Sequence, residues 1–285
     1  MTSENRFARP AAELIQQDVE RALAEDLGSG DATADLLPAD ASAEAVLVCR
    51  EPAVLAGSAW FDACFRSLDA EVSIEWNAVD GDRVPADSTL CRLRGNARAL
   101  VTAERSALNF LQLLSGTATV TAGFVAALAG SRTRLLDTRK TIPGLRLAQK
   151  YAVRCGGGVN HRIGLHDGIL IKENHIIAAG SIALAVGNGR RIHPDLPLEV
   201  EVETLDELRQ ALDAGADRIM IDNFDPASMR EAVRIANGRA SLEVSGNVDL
   251  DRIGEIAASG VDFVSVGALT KHVRAVDLSL RLRLH

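Results

Sequence analysis

Cysteine is scarce and unpaired in this chain: Cys49, Cys64, Cys91 and Cys155 stand far apart, with no Cys-x-x-Cys spacing. That excludes a zinc cage and a disulfide framework and reads as four reduced, mostly core thiols. No apolar run approaches the roughly 20 residues needed to cross a bilayer. The opening Met1-Thr-Ser-Glu-Asn-Arg6 also lacks the apolar core of a secretory signal, so a cytoplasmic protein without membrane spans is expected. Positive charge is in deficit, 31 Lys and Arg against 39 Asp and Glu, a net of −8, which argues against a general nucleic-acid binder. None of the six histidines sits in a His-Glu-x-x-His pattern, so zinc hydrolysis is not indicated.

What is present is the composition of a globular protein, 47% hydrophobic and 25% charged over 285 residues, enough for one large domain or two ordinary ones. Over residues 11–27, Leu14, Ile15, Val19, Leu23 and Leu27 recur at helical spacing before Gly28. Strand-like runs follow at 45–49, 72–76 and 89–93, separated by turns such as Asp80-Gly81-Asp82, which predicts a small α+β domain. Thr102 can cap a helix running to Leu114, with a second helix over 119–128 and a domain boundary near Ser115-Gly116.

Beyond that point short apolar strands alternate with helices: 134–136, 169–171, 198–202, 218–221, 242–244 and 263–266. Asp213-Ala-Gly-Ala-Asp-Arg-Ile-Met-Ile-Asp222 and Ala258-Ser-Gly-Val-Asp-Phe-Val-Ser-Val-Gly267 repeat one helix-turn-strand unit. Alternation of this kind predicts parallel βα units, and six strands predict an incomplete α/β barrel. The polar residues that follow the strands, Asp137 to Lys140, Lys172, Glu201, Asp222-Asn223, Ser245 to Asn247 and Gly267, would then line its mouth.

Glu199, Glu201 and Glu203 share one face of their strand by period-two alternation. Alone, the strand fits a solvated edge; in a parallel barrel the acids point inward and need a metal or cations. Asp222, ending the next strand, is the natural second oxygen ligand for magnesium, although Asp-Asn is also a common turn. Arg139, Lys140, His161, Arg162 and Lys172 fall on three segments that a barrel brings to one rim. Scattered surface charge is the plainer reading, but the Gly156-Gly157-Gly158 run allows close ligand approach. Ser245-Gly246-Asn247 and Gly267-Ala268 each sit at a strand-to-helix junction, which is either a phosphate site or simply a turn.

The runs Asp137-Thr-Arg-Lys-Thr-Ile-Pro-Gly-Leu-Arg146, Gly156-Gly-Gly-Val-Asn-His-Arg162 and Leu170-Ile-Lys-Glu-Asn-His175 closely resemble the quinolinate phosphoribosyltransferase family. So do Glu104-Arg-Ser-Ala-Leu-Asn-Phe110, Leu242-Glu-Val-Ser-Gly-Asn247 and Val266-Gly-Ala-Leu-Thr270, in order and spacing. The resemblance departs at Glu173, His166 and Lys271. It implies an N-terminal α/β domain over 1–115, to which 275–285 return, packed on an incomplete, distorted α/β barrel over 116–274, in a homodimer.

By resemblance, Thr138, Arg139, His161, Arg162 and Lys172 hold quinolinate, helped by Arg105 from the partner subunit. Lys140, Glu201 and Asp222 handle phosphoribosyl pyrophosphate and magnesium, with Glu201 and Asp222 as the metal ligands. Ser245, Gly246 and Asn247 with Val266, Gly267 and Ala268 receive phosphate, and Lys140, Lys172, Glu201 and Asp222 form the catalytic set. The implied reaction gives nicotinate mononucleotide, pyrophosphate and carbon dioxide, in the synthesis of NAD. Two rival readings remain: a Schiff-base aldolase using Lys172, and a phosphate-ligand sensor without turnover.

Overall fold

The computed structural model describes residues 9–246 and 248–284. Along the chain it comprises α1 (Ala12–Leu27), β1 (Ser42–Cys49), β2 (Ala53–Val54), α2 (Ser58–Arg66), β3 (Ser73–Trp76), β4 (Arg83–Val84), β5 (Ser88–Asn96) and α3 (Ala97–Ala127). There follow β6 (Arg134–Leu136), α4 (Arg146–Cys155), β7 (Ile169–Ile171), α5 (Glu173–Ala179), α6 (Ile182–Ile192), β8 (Leu198–Val202), α7 (Leu205–Asp213) and β9 (Arg218–Asp222). The last elements are α8 (Pro226–Ala236), β10 (Ser241–Ser245), α9 (Ile253–Ser259), β11 (Phe263–Ser265), α10 (Ala268–Lys271) and β12 (Leu278–Leu284). The described residues form two compact units: 9–122 with 141–157 and 270–284, and 123–140 with 158–246 and 248–269.

In the first unit β12, β1, β5 and β3 form a four-stranded sheet, with β12 and β5 both antiparallel to β1. Trp60, Phe61 and Phe65 of α2, with Leu100, Leu111 and Leu114 of α3, are almost wholly buried and form much of its core. The sequence suggests a break in the middle of α3, but the helix is continuous through Ser115-Gly116. Its cap is Asn96, whose side chain accepts the Ala99 N–H at 3.2 Å, rather than Thr102. Gly116 is glycine for packing: a Cβ there would lie 2.2 Å from the Arg274 carbonyl oxygen.

Hydroxyls in the same stretch serve neighbouring backbone. Ser115 Oγ accepts the Ala56 N–H at 3.1 Å and Thr119 Oγ1 accepts the Val54 N–H at 2.8 Å. The 31 residues of α3 are long and apolar enough to cross a membrane by length and composition, a property that no uninterrupted apolar run displays. Its apolar window is 56% buried within the protein, where it supplies core contacts.

The second unit is a six-stranded sheet in the order β6-β11-β10-β9-β8-β7, every pairing parallel. Among the described residues β6 and β7 do not pair with each other, so the α/β barrel is incomplete. The repeated sequence unit performs one task twice. Asp217 Oδ2 accepts the Leu198 N–H at 2.7 Å and Asp262 Oδ2 accepts the Leu242 N–H at 2.9 Å, each pinning the start of the neighbouring strand.

Alternation then sorts each strand into two faces. Val200, Ile219, Ile221, Leu242, Val244 and Val264 are all but inaccessible on one face, each worth about 1.5–3 kcal/mol of burial. Glu199, Glu201, Arg218, Asp222, Glu243, Ser245 and Ser265 therefore occupy the other. The barrel lumen is polar, and that face positions the site.

Candidate active site

Three charged side chains, one ammonium and two carboxylates, meet at the carboxyl ends of β7, β8 and β9. Lys172, directly after β7, contacts the Glu201 carboxylate of β8 in an ion pair. Asp222 ends β9, and burial pushes its carboxyl above the ordinary range; the Glu201 charge adds to that, while Lys172 and Lys140 oppose it. These four groups thus share one electrostatic neighbourhood. Asn223, in the left-handed region at φ 58°, donates its amide to Asp222 Oδ2 at 2.9 Å. Gly246 leaves room for the same carboxylate, since a Cβ there would lie 2.8 Å from Asp222 Oδ1.

The end of β6 joins this rim through small residues. Thr138 Oγ1 accepts the Lys140 N–H at 3.1 Å, and a Cβ on Gly267 would come within 3.0 Å of Lys140 Cδ and 3.5 Å of Thr138 Oγ1. Val266 is held to β6 through its N–H to the Leu136 carbonyl at 3.0 Å, and Ala268 opens α10.

Arg162 donates to the Gly168 carbonyl at 2.9 Å. Its guanidinium is held below its ordinary pKa by burial and then by the like charge of Arg139, with Glu199 and Asp167 acting against this. Beneath it lies a network that the sequence only half reveals. Asp137, wholly buried, accepts the His161 backbone N–H at 2.8 Å and the Asn160 amide at 2.7 Å. His161 Nδ1 accepts the Arg162 N–H at 2.7 Å, leaving Nε2 to face Glu199 Oε2 at 2.9 Å and Glu243 Oε2 at 3.5 Å. Arg218 meets Glu243 at 3.3 Å and lies over the Phe263 ring at 4.5 Å. Burial, followed by the Glu199 charge, pushes the Glu243 carboxyl up to about 8 against His161 and Arg218; burial likewise raises Glu199.

Several expectations change. Glu203 is exposed beyond β8, its N–H bonded to Glu207 Oε2 at 2.8 Å at the start of α7, so only Glu199 and Glu201 enter the lumen. Gly156 serves packing, since a Cβ there would lie 2.4 Å from the Ala118 carbonyl, and Gly157 adopts φ 89° at a turn. Ser245 and Gly246 do not open a helix: α9 starts only at Ile253, after Asp249 has folded the intervening turn by accepting the Arg252 N–H at 2.9 Å. Asn247 lies outside the described residues. Lys172 is half exposed and engaged in an ion pair with the Glu201 carboxylate, not sequestered in the apolar pocket that a Schiff-base lysine requires. Arg105 belongs to the first unit, exposed on α3 beside a cavity of about 240 Å³ that also involves α1.

Glu201 and Asp222 offer hard oxygen donors on adjacent strands, and their mutual repulsion is what a divalent cation would remove, so the pair fits magnesium. His161, Glu199 and Glu243 also bring ligand-type atoms within 4.8 Å of one another. There, however, a guanidinium already meets Glu243 and the imidazole is at hydrogen-bond distance from Glu199, which suits a proton network better than a metal. A cavity of about 670 Å³ lies at the amino end of β10, where Arg132–Asp262, Arg190–Asp217 and Arg239–Asp213 pairs already match its charges. Chemistry on parallel sheets sits at the opposite end.

Two family models match the chain: quinolinate phosphoribosyl transferase, N-terminal domain, over residues 31–115, and the C-terminal domain over residues 117–281. The probable nicotinate-nucleotide pyrophosphorylase [carboxylating] of Bacillus subtilis is 41% identical over 261 residues, covering 91% of this chain and 90% of that protein. The chloroplastic nicotinate-nucleotide pyrophosphorylase [carboxylating] of Arabidopsis thaliana is also 41% identical, over 93% of this chain and 81% of its own. Among solved structures, the nicotinate-nucleotide pyrophosphorylase of Francisella tularensis superposes with a TM-score of 0.93 at 49% identity, covering 96% of this chain and 98% of that one.

Proposed function

The chain belongs to the quinolinate phosphoribosyl transferase family, and from that premise we propose how its residues divide the reaction. It is a decarboxylating pentosyltransferase of NAD biosynthesis: quinolinate and phosphoribosyl pyrophosphate give nicotinate mononucleotide, pyrophosphate and carbon dioxide.

The observation that supports the division best is the part-buried Arg162 guanidinium, hydrogen-bonded to the Gly168 carbonyl, which burial and then the like charge of Arg139 hold below its ordinary pKa. Two guanidiniums that repel each other gain most from a bound dianion, and their planar forks suit carboxylates. Thr138, Arg139, His161, Arg162 and Lys172 are assigned to quinolinate, with His161 lending its backbone and ring to the frame behind Arg162. Lys140, Glu201 and Asp222 are assigned to phosphoribosyl pyrophosphate, and Ser245 to Asn247 with Val266 to Ala268 to its phosphate.

Glu201 and Asp222 would hold magnesium, which when bound supplies charge neutralisation at the departing pyrophosphate. Lys172 is the residue whose partner changes: its ammonium pairs with Glu201 here and would turn to a quinolinate carboxylate as substrate arrives. Orientation of the pyridine nitrogen toward the anomeric carbon follows from holding both carboxylates, and the acids of β8 and β9 stabilise positive charge developing on the ribose. Loss of carbon dioxide follows transfer, because the positive pyridinium nitrogen then stabilises the electron pair that the breaking C–C bond leaves on the adjacent ring carbon, and a proton from solvent takes the carboxylate's place.

Arg105 would act in the neighbouring subunit's quinolinate pocket of a homodimer. A cytoplasmic location is part of the same proposal; the Arabidopsis relative is, by its name, chloroplastic.

An assay of pyrophosphate and nicotinate mononucleotide formed from the two substrates with magnesium tests the reading. Both products should appear in equal amounts; folded protein that yields neither would overturn it.

A further inference from the structure

The lumen of the second unit contains a polar strut whose outer end, His161 and Arg162, is assigned to quinolinate but whose inner members, Glu243 and Arg218, no substrate assignment uses. It runs from Phe263 on β11 to Arg218 on β9, Glu243 on β10, His161 and finally the Arg162 backbone, with contacts of 4.5, 3.3, 3.5 and 2.7 Å. Glu199 flanks it at 2.9 Å from His161 Nε2, and Ser265 on β11 faces Glu243. Glu243 has no accessible surface, and burying a carboxyl here is costly where an apolar side chain would pack.

The geometry gives that cost a purpose. A histidine ring has two edges, and only one orientation lets Nδ1 accept the Arg162 N–H while Nε2–H points at a carboxylate. Glu199 meets that edge at 2.9 Å, but besides Arg218 and its hydrogen bond with Glu243 it also feels Arg162 and Glu201 at the rim. Glu243 is clamped from below by Arg218, so it can hold the ring when charges at the rim rearrange.

We propose that Glu243 is a positioning residue for quinolinate: it fixes the His161 ring, which fixes the Arg162 backbone and hence the guanidinium. This rests on the reading that Arg162 binds a quinolinate carboxylate. Glu243 itself touches no substrate.

Two substitutions separate the role from simple core packing. Glu243→Met keeps length and burial but offers the ring and Glu199 no oxygen, whereas Glu243→Gln keeps an amide oxygen beside Nε2 and an amide N–H for Glu199. The Met variant should raise the quinolinate KM about tenfold, the scale of one buried hydrogen bond, with the phosphoribosyl pyrophosphate KM within about twofold of wild type. The Gln variant should stay within about threefold of wild type for both. An unchanged quinolinate KM in the Met variant, equal losses for both substrates, or a Gln variant as poor as Met would overturn the role.

If the Met variant does not fold, nitrogen NMR of wild-type protein, with the His161 signals assigned by their loss in His161→Gln, reads the tautomer directly. Protonation at Nε2 with Nδ1 bare is expected, and a proton on Nδ1 refutes the strut. Arg162→Ala serves as the control for the underlying reading. If it leaves the quinolinate KM unchanged, the rim assignment fails; if it raises that KM while Glu243→Met does not, only the positioning role fails.

Discussion

At the scale of single residues, the site depends as much on absent side chains as on charged ones. Gly246 has φ 93°, and a Cβ there would meet Asp222 Oδ1 at 2.8 Å and Asn223 Oδ1 at 3.0 Å. Gly246→Ala therefore strains the backbone by about 1–3 kcal/mol and turns the Asp222 carboxylate aside. The expected outcome is a higher magnesium concentration for half-maximal activity, with quinolinate binding much less affected; calorimetry alongside a magnesium titration checks both.

The acids are unevenly legible in the sequence. Leu198-Glu-Val and Leu242-Glu-Val are the same triplet on two strands, and both glutamates face the lumen. The first stands out because Glu201 follows it in the alternation. The second is easily passed over because Ser245 takes the equivalent place. Period two alone is enough to find Glu243. Arg218 has no such signal, since an arginine opening a strand reads as solvated until its neighbours are known.

At the scale of elements, the strands of the second unit are nearly all readable, because each is a short apolar run ended by a polar residue. The long helix is not. Ser-Gly at 115–116 has the local appearance of a stop, yet α3 passes straight through, since its glycine answers a contact with Arg274, far along the chain, which local sequence cannot reveal.

Two glycines in this one helix should therefore respond oppositely to alanine. Gly116→Ala places a methyl 2.2 Å from the Arg274 carbonyl oxygen and should cost about 1–3 kcal/mol as the returning chain shifts. Gly123 is exposed, and an added Cβ would meet nothing within 4 Å, so Gly123→Ala should gain about 0.5–1 kcal/mol from alanine's higher helix propensity. Thermal melts of the two variants should move in opposite directions, and a common direction would mean that the helix does not run unbroken.

At the scale of the whole molecule, chain order and compact units diverge. Residues 141–157 follow β6 in sequence but belong to the first unit, where α4 buries Tyr151 and its hydroxyl donates to Asp80 at 2.7 Å. Arg105 also belongs to that unit, whereas Lys172 and the rest of the rim belong to the second. If Arg105 serves the partner's site, Arg105→Ala and Lys172→Ala dimers should each be nearly inactive, because every site lacks one cation. In a two-fold dimer with random exchange, half of the molecules are mixed. One site in each mixed dimer then lacks both cations and the other lacks neither, so activity should recover to roughly a quarter of wild type. An Arg105 acting within its own chain would instead leave every mixed site with a single defect. Activity measured after exchange verified by differently tagged subunits decides between them, and no recovery would remove Arg105 from the neighbouring pocket.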